Sequence, residues 1–192
     1  MPKNRIAIFA SGSGSNAEQI IKYFQQHTSV EVVLLLSNNP DAFALERAKK
    51  YAIPSKTFTK QEFRESKIIL EWLAEQNVTH IVLAGFLWLI PDYLINAYPD
   101  RIVNIHPALL PKFGGKGMYG MKVHEAVKAA SEIETGITIH LVNEHYDEGR
   151  ILFQGRCTVK TNATPDDIAH SVHALEYEFY PVVIEQWITE KS

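Results

Sequence analysis

Ile6-Ala7-Ile8-Phe9-Ala10-Ser11-Gly12-Ser13-Gly14-Ser15-Asn16 decides the fold. Its first five residues are apolar without a break, as in a strand covered on both faces. The glycine–serine stretch cannot prolong that strand. Beyond it Ala17, Ile20, Ile21 and Phe24 recur at helical spacing. Strand, glycine turn and helix in that order open a βα unit. Backbone N–H groups and the helix dipole at such a helix start favour an anion. Gly12-Ser13-Gly14-Ser15-Asn16-Ala17 matches the loose dinucleotide pattern G-x-G-x-x-A. A dinucleotide site also needs an acid at the end of the second strand, and Ser37-Asn38-Asn39 stands there. The reading is therefore a mononucleotide-sized ligand whose phosphate is held by Gly14, Ser15 and Asn16. The bland alternative is a tight turn with Ser15 or Asn16 as helix cap.

The same alternation continues outward. Val32 to Leu36 is a second buried strand, Asn38 to Asp41 a turn, and Phe43 to Tyr51 a helix. Pro54 to Phe58 reads as a short edge strand. Phe63 to Leu73 reads as one helix, with Phe63, Leu70 and Leu73 on one side. Ile81 to Ala84 is the next strand, and Pro91 opens a short helix to Tyr98. Such alternation means right-handed crossovers and a parallel sheet. The pattern changes after Pro107. The stretch from Pro107 to Gly120 is rich in glycine and proline and long enough to suspect function. A helix from Met121 to Ala130 follows. Gly136 to Val142 and Ile151 to Val159 are strands whose short connection implies an antiparallel hairpin. Thr164-Pro165-Asp166-Asp167 starts a last helix whose buried stripe is Ile168, Val172, Leu175 and Phe179. The expected fold is α/β, a single domain over residues 1–192. Its Rossmann-like sheet of about seven strands is mostly parallel, with a C-terminal antiparallel hairpin and helices on both faces.

Composition excludes several classes. A net charge of −3, from 19 basic and 22 acidic residues, argues against a nucleic-acid binder. The lone Cys157 cannot form an internal disulfide, so a reducing cytoplasm is expected. Met1-Pro2-Lys3-Asn4-Arg5 runs into a strand too short for a secretion signal. The apolar stretch from Ile81 to Pro91 is too short to span a membrane.

The chemistry sits in Asn104-Ile105-His106-Pro107. Side chains two apart on a strand share a face, so an amide and an imidazole stand side by side where Pro107 ends the strand. Together they can hold a developing oxyanion and move a proton. Asp147, in the hairpin loop, would orient His106 if the fold brought them together. By itself it reads as a turn residue before Gly149. Thr138 and His140 share a strand face and stand either behind the site or as a satisfied polar pair. His170 and His173 read as a solvated helix face. No metal or covalent-nucleophile motif is present.

These residues carry a resemblance. The segments are Ser11 to Asn16, Asp41 to Ala48, Leu83-Ala84-Gly85-Phe86, Asn104 to Pro111, Thr135 to His140 and Asp147-Glu148-Gly149. In this order the chain resembles the phosphoribosylglycinamide formyltransferases, a folate-dependent family of purine synthesis within the wider formyltransferases. The resemblance implies that His106 is the acid–base group, Asn104 holds the formyl oxygen, and Asp147 keeps His106 charged. It implies that Gly14, Ser15 and Asn16 hold the substrate phosphate and that Glu176 faces the ribose hydroxyls. Leu87, Trp88, Leu89 and Ile90 would line the folate pocket, with Asn104 beside the formyl group. Glu144, His145 and Tyr146 would close over the pterin. The ligands implied are glycinamide ribonucleotide and, as co-substrate, N10-formyltetrahydrofolate, with no metal, nucleic acid or membrane. Monomer and homodimer remain open.

The departures from the family pattern fall on the folate side. Trp88 stands where many relatives carry Arg. Lys116-Gly117-Met118-Tyr119-Gly120 lengthens the loop, and Arg64 and Ser66 compete for the place of an arginine near the folate tail. A formyl-folate hydrolase would share the trio but adds a regulatory domain. An enzyme formylating methionyl-tRNA would need a further carboxyl-terminal domain. A non-catalytic nucleotide-binding module would keep the glycine loop without needing the trio.

Overall fold

A computed structural model describes residues 3–190. Met1 and Pro2, the start of the segment weighed as a secretion signal, lie outside the described residues, as do 191 and 192. Seven strands form one sheet in the order β3-β2-β1-β4-β5-β6-β7. They are β1 (Asn4–Phe9), β2 (Val30–Ser37), β3 (Ser55–Thr57), β4 (His80–Leu83), β5 (Ile102–His106), β6 (Glu134–Leu141) and β7 (Ile151–Thr158). The pairs from β3 to β5 are parallel, whereas β5–β6 and β6–β7 are antiparallel. The helices are α1 (Ser15–Phe24), α2 (Phe43–Lys50), α3 (Lys60–Glu65), α4 (Ile68–Glu75), α5 (Asp92–Ala97), α6 (Met121–Ala129) and α7 (Pro165–Thr189).

β1 shows why its sequence is apolar throughout. Ile6 and Ile8 pack with α1 and α7 residues such as Ile20 and Ile184. Ala7 and Phe9 point the other way, among Phe63, Ile69 and Leu94. Alternate side chains thus enter two separate cores, so neither face tolerates a polar residue. Tyr180, fully buried on α7, donates its hydroxyl to the Leu83 carbonyl at 2.9 Å, which ties the last helix to the sheet centre.

Two expected elements differ. Phe63 to Leu73 is two helices, because Ser66 is extended and its hydroxyl accepts the Ile68 N–H at 2.9 Å. A serine offering that bond competes with the helical one. The break turns Ile69, not Leu70, fully inward. On α7, Leu175 and Phe179 are only half-buried, and Glu176 and Tyr180 take the inward positions. That helix runs through the buried Pro181 to Thr189.

The hairpin connection is set by a close approach. A Cβ on Gly149 would lie 1.7 Å from the Leu141 carbonyl oxygen. No side chain fits there. The chain can thus turn back tightly enough to leave Asp147 over the end of β5.

Candidate functional site

The parallel strands end at a cleft of about 500 Å³. Ligands of open α/β sheets bind at this end. Gly12 to Asn16 line one wall, and Asn104, His106 and Asp147 line another.

The first wall is made of backbone. Gly14 caps α1 in the left-handed region, φ 69°, without a side-chain cap bond. The bland reading, with Ser15 or Asn16 as cap, does not hold. A helix start of this kind presents its first-turn N–H groups outward, the arrangement that suits an anion. Gly14 is required twice over, because a Cβ there would sit 2.6 Å from both Cα and Cβ of Ala44. α2 is packed directly on the loop. Ala44 N–H donates to the Gly12 carbonyl at 3.1 Å, and Arg47 Nε donates to the Ser13 carbonyl at 2.8 Å. The Arg47 guanidinium also pairs with the buried Glu18 of α1, which Lys50 approaches at 3.2 Å. Asn16 Nδ2 donates to Glu176 at 2.8 Å, joining α1 to α7. Burial raises the pKa of Glu176, against the Asn16 bond and the charge of His173.

The second wall is made of side chains gathered from three segments. Asp147 sits at φ 58°, in the left-handed region that Asp tolerates better than most residues. Its Oδ2 accepts the Gly115 N–H at 2.9 Å and lies 3.4 Å from His106 Nδ1. Its Oδ1 lies 3.6 Å from His140 Nε2. Burial pushes the carboxyl's pKa up. The His140 bond, the charge of His106 and the Gly115 N–H outweigh it, and the net shift is downward.

His106 is 3% exposed, and its Nε2 lies 2.7 Å from the Phe113 carbonyl. A carbonyl only accepts, so Nε2 carries a proton, and Nδ1 faces Asp147. Burial lowers the ring's pKa more than Asp147 and the Phe113 carbonyl raise it. Asp147 stands against the ring, where its charge opposes that desolvation.

Asn104 Nδ2 lies 3.1 Å from His140 Nε2. His140 Nδ1 faces the Leu141 carbonyl at 2.8 Å and must carry its proton there. Nε2 also faces Asp147 Oδ1, and at most one of the two Asn104 amide hydrogens is spent on it. Thr138 lies behind, bonded to the Ala108 carbonyl at 2.7 Å and the Leu110 N–H at 3.0 Å. Thr138 and His140 thus stand behind the site, as one of their two readings has it.

Leu87, Trp88, Leu89 and Ile90 all line the cleft. Leu87 and Leu89 expose large apolar area, whereas Ile90 is buried. Trp88 packs against Phe58, Phe63 and Phe86, with ring centroids 5.7 to 6.3 Å away. His145 and Tyr146 join the lining, but Glu144 does not: it is exposed and outside the cleft, because the loop turns it to solvent. Arg64 is exposed on α3.

The structure adds residues that the sequence reading passed over. The Phe113 carbonyl and the Gly115 N–H hold the two catalytic candidates from the long loop. His124 lines the cleft, and so does His173, against its reading as part of a solvated helix face. His173 precedes Glu176 by three residues, the spacing that puts both on one helix face, and that signal was available.

The chain matches the formyl transferase family model over residues 4–184. It is 42% identical to the chloroplastic phosphoribosylglycinamide formyltransferase of Arabidopsis thaliana over 95% of its own length and 64% of that relative. A Vigna unguiculata counterpart is 38% identical, with 62% of it covered. The chain thus spans under two thirds of both plant relatives. The phosphoribosylglycinamide formyltransferase of Bacillus subtilis is 37% identical, covering 95% of this chain and 93% of that one. Among solved structures, that of phosphoribosylglycinamide formyltransferase from Bacillus halodurans superposes with a TM-score of 0.87 at 34% identity. It covers 98% of this chain and 97% of that one.

Proposed function

The chain belongs to the formyl transferase family, and we propose that it moves the formyl group of N10-formyltetrahydrofolate onto the amine of glycinamide ribonucleotide, in purine synthesis. The observation that carries this reading is one cleft lined by both a helix start without a side-chain cap bond and the Asn104, His106 and Asp147 trio. The names of the Bacillus subtilis and Bacillus halodurans relatives support the substrates. The acting unit is one formyltransferase domain over residues 1–192, working in the cytoplasm. Among the described residues, no helix is long and apolar enough to cross a membrane.

The α1 N–H groups at Gly14, Ser15 and Asn16 bind the phosphate, and Glu176 takes the ribose hydroxyls. Leu87, Leu89 and Tyr146 offer the flat apolar surface a pterin ring needs, with Trp88 and Ile90 behind. Holding both ligands together supplies the entropic advantage of an intramolecular reaction. The amine attacks the formyl carbon, and negative charge grows on the formyl oxygen. Asn104 donates its unspent amide hydrogen to that oxygen. His106 Nδ1 takes a proton from the attacking amine, and Asp147, 3.4 Å away, stabilises the imidazolium. The same proton goes to N10 as the carbon–N10 bond breaks. The products are the formylated ribonucleotide and tetrahydrofolate, and the bonds and protons balance.

Incubating the protein with both ligands tests the reading. Deformylated folate is expected only when glycinamide ribonucleotide is present. Release of formate without the ribonucleotide would make water the acceptor and overturn it.

A further inference from the structure

His124 is 2% exposed and lines the cleft from α6. Its Nδ1 is shut from solvent and has no hydrogen-bond partner. Buried polar atoms are normally paired, and an unpaired one beside a ligand cleft needs a reason. The ring stands edge-on to that of His173 on α7, with centroids 6.4 Å apart. His173 lies one turn from Glu176, which Asn16 holds from the phosphate side. His124 is also close enough to His106 to sense its charge. It therefore lines the cleft within reach of both the His173 ring and the charge of His106.

Burial, then the charges of His173 and His106, push its pKa down to about 4. The ring stays neutral at any working pH and does not compete with His106 for the amine's proton. A neutral imidazole offers one donor and one acceptor and no charge. That suits a hydroxyl or an amide better than a phosphate.

We infer that His124 is a substrate-positioning residue, hydrogen-bonding an uncharged hydroxyl or carboxamide of the acceptor ribonucleotide between its phosphate and its amine. The assignment rests on the formyl-transfer reading above.

Steady-state kinetics of the wild type, His124→Phe and His124→Gln test it. His124→Phe keeps a flat ring and removes both nitrogens; it is expected to raise KM for glycinamide ribonucleotide about tenfold, the worth of one hydrogen bond. Its KM for formyl-folate should stay within about twofold. His124→Gln should recover most of the loss, which a merely structural role would not produce. An unchanged ribonucleotide KM in a folded His124→Phe overturns the role, as does a loss confined to formyl-folate. Should the Phe variant fail to fold, His124→Met against His124→Gln makes the same comparison. A wild type that transfers no formyl group overturns the underlying reading and this one with it. An active wild type beside an indifferent Phe variant overturns only His124.

Discussion

The two walls of the cleft solve the same problem by opposite means. The α1 wall is rigid backbone, braced by Ala44 and Arg47 and carrying no titrating group that must change state. The β5 wall is a set of side chains from Asn104 to Asp147, and its polarity depends on where one proton sits. Recognition of a fixed charge needs geometry held still. Proton transfer needs a group whose charge can change, and hence one that burial and neighbours have tuned.

The sharpest way to break this contrast is His106→Ala. It should lower kcat at least about a hundredfold, with circular dichroism and the ribonucleotide KM little changed. Near-wild-type turnover would strip the β5 wall of its role. Gly14→Val attacks the other wall through the fold. A side chain must enter 2.6 Å from the Ala44 backbone at positive φ, so a stability loss of about 2–3 kcal/mol is expected. Gly12→Ala is the control, since its Cβ meets nothing within 4 Å. Equal melting temperatures for the two variants would show that α2 does not brace the loop. Arg47→Ala leaves the glycine turn intact and frees the Ser13 carbonyl. Here KM for the ribonucleotide should rise about three- to tenfold with kcat steady, for the loss of one charge-assisted bond. An effect on kcat alone would move Arg47 out of the phosphate wall.

The smallest expected effect is a shift in pH profile. The base His106 must be unprotonated to act, and its pKa lies below the ordinary 6.5, chiefly through burial. The acid limb of kcat/KM should therefore lie below pH 6.5. In Asp147→Asn the larger of the two influences that raise the pKa is gone, so the limb of the residual activity should move to lower pH. A limb moving upward would mean that Asp147 does not face the ring in solution.

The two walls also differed in how far they could be read in advance. The first was legible because it is local: strand, glycine turn and helix fall within about twenty residues, and each has its own signature. The trio was legible as residue types, through Asn-x-His-Pro and the later Asp, but their meeting depends on β6 pairing antiparallel beside β5. No local pattern encodes that. Sequence spacing shows the carboxylate partner of His106 but not the burial that opposes it. Glu144 was expected over the pterin through the resemblance alone, yet in an irregular loop adjacent residues need not share a direction. Ser66 broke a helix that periodicity alone continues. The Phe113 and Gly115 contacts are backbone groups, to which side-chain identity gives no clue.

The hydrogen bond from Asn16 to Glu176 spans 160 residues of chain. Its two ends leave the ribosome far apart in time. A nascent chain carrying the glycine turn, the sheet and even the imidazole would still present an open-sided pocket. Only when α7 docks does that side close, so competence for the phosphorylated substrate should arrive late in synthesis, in one step.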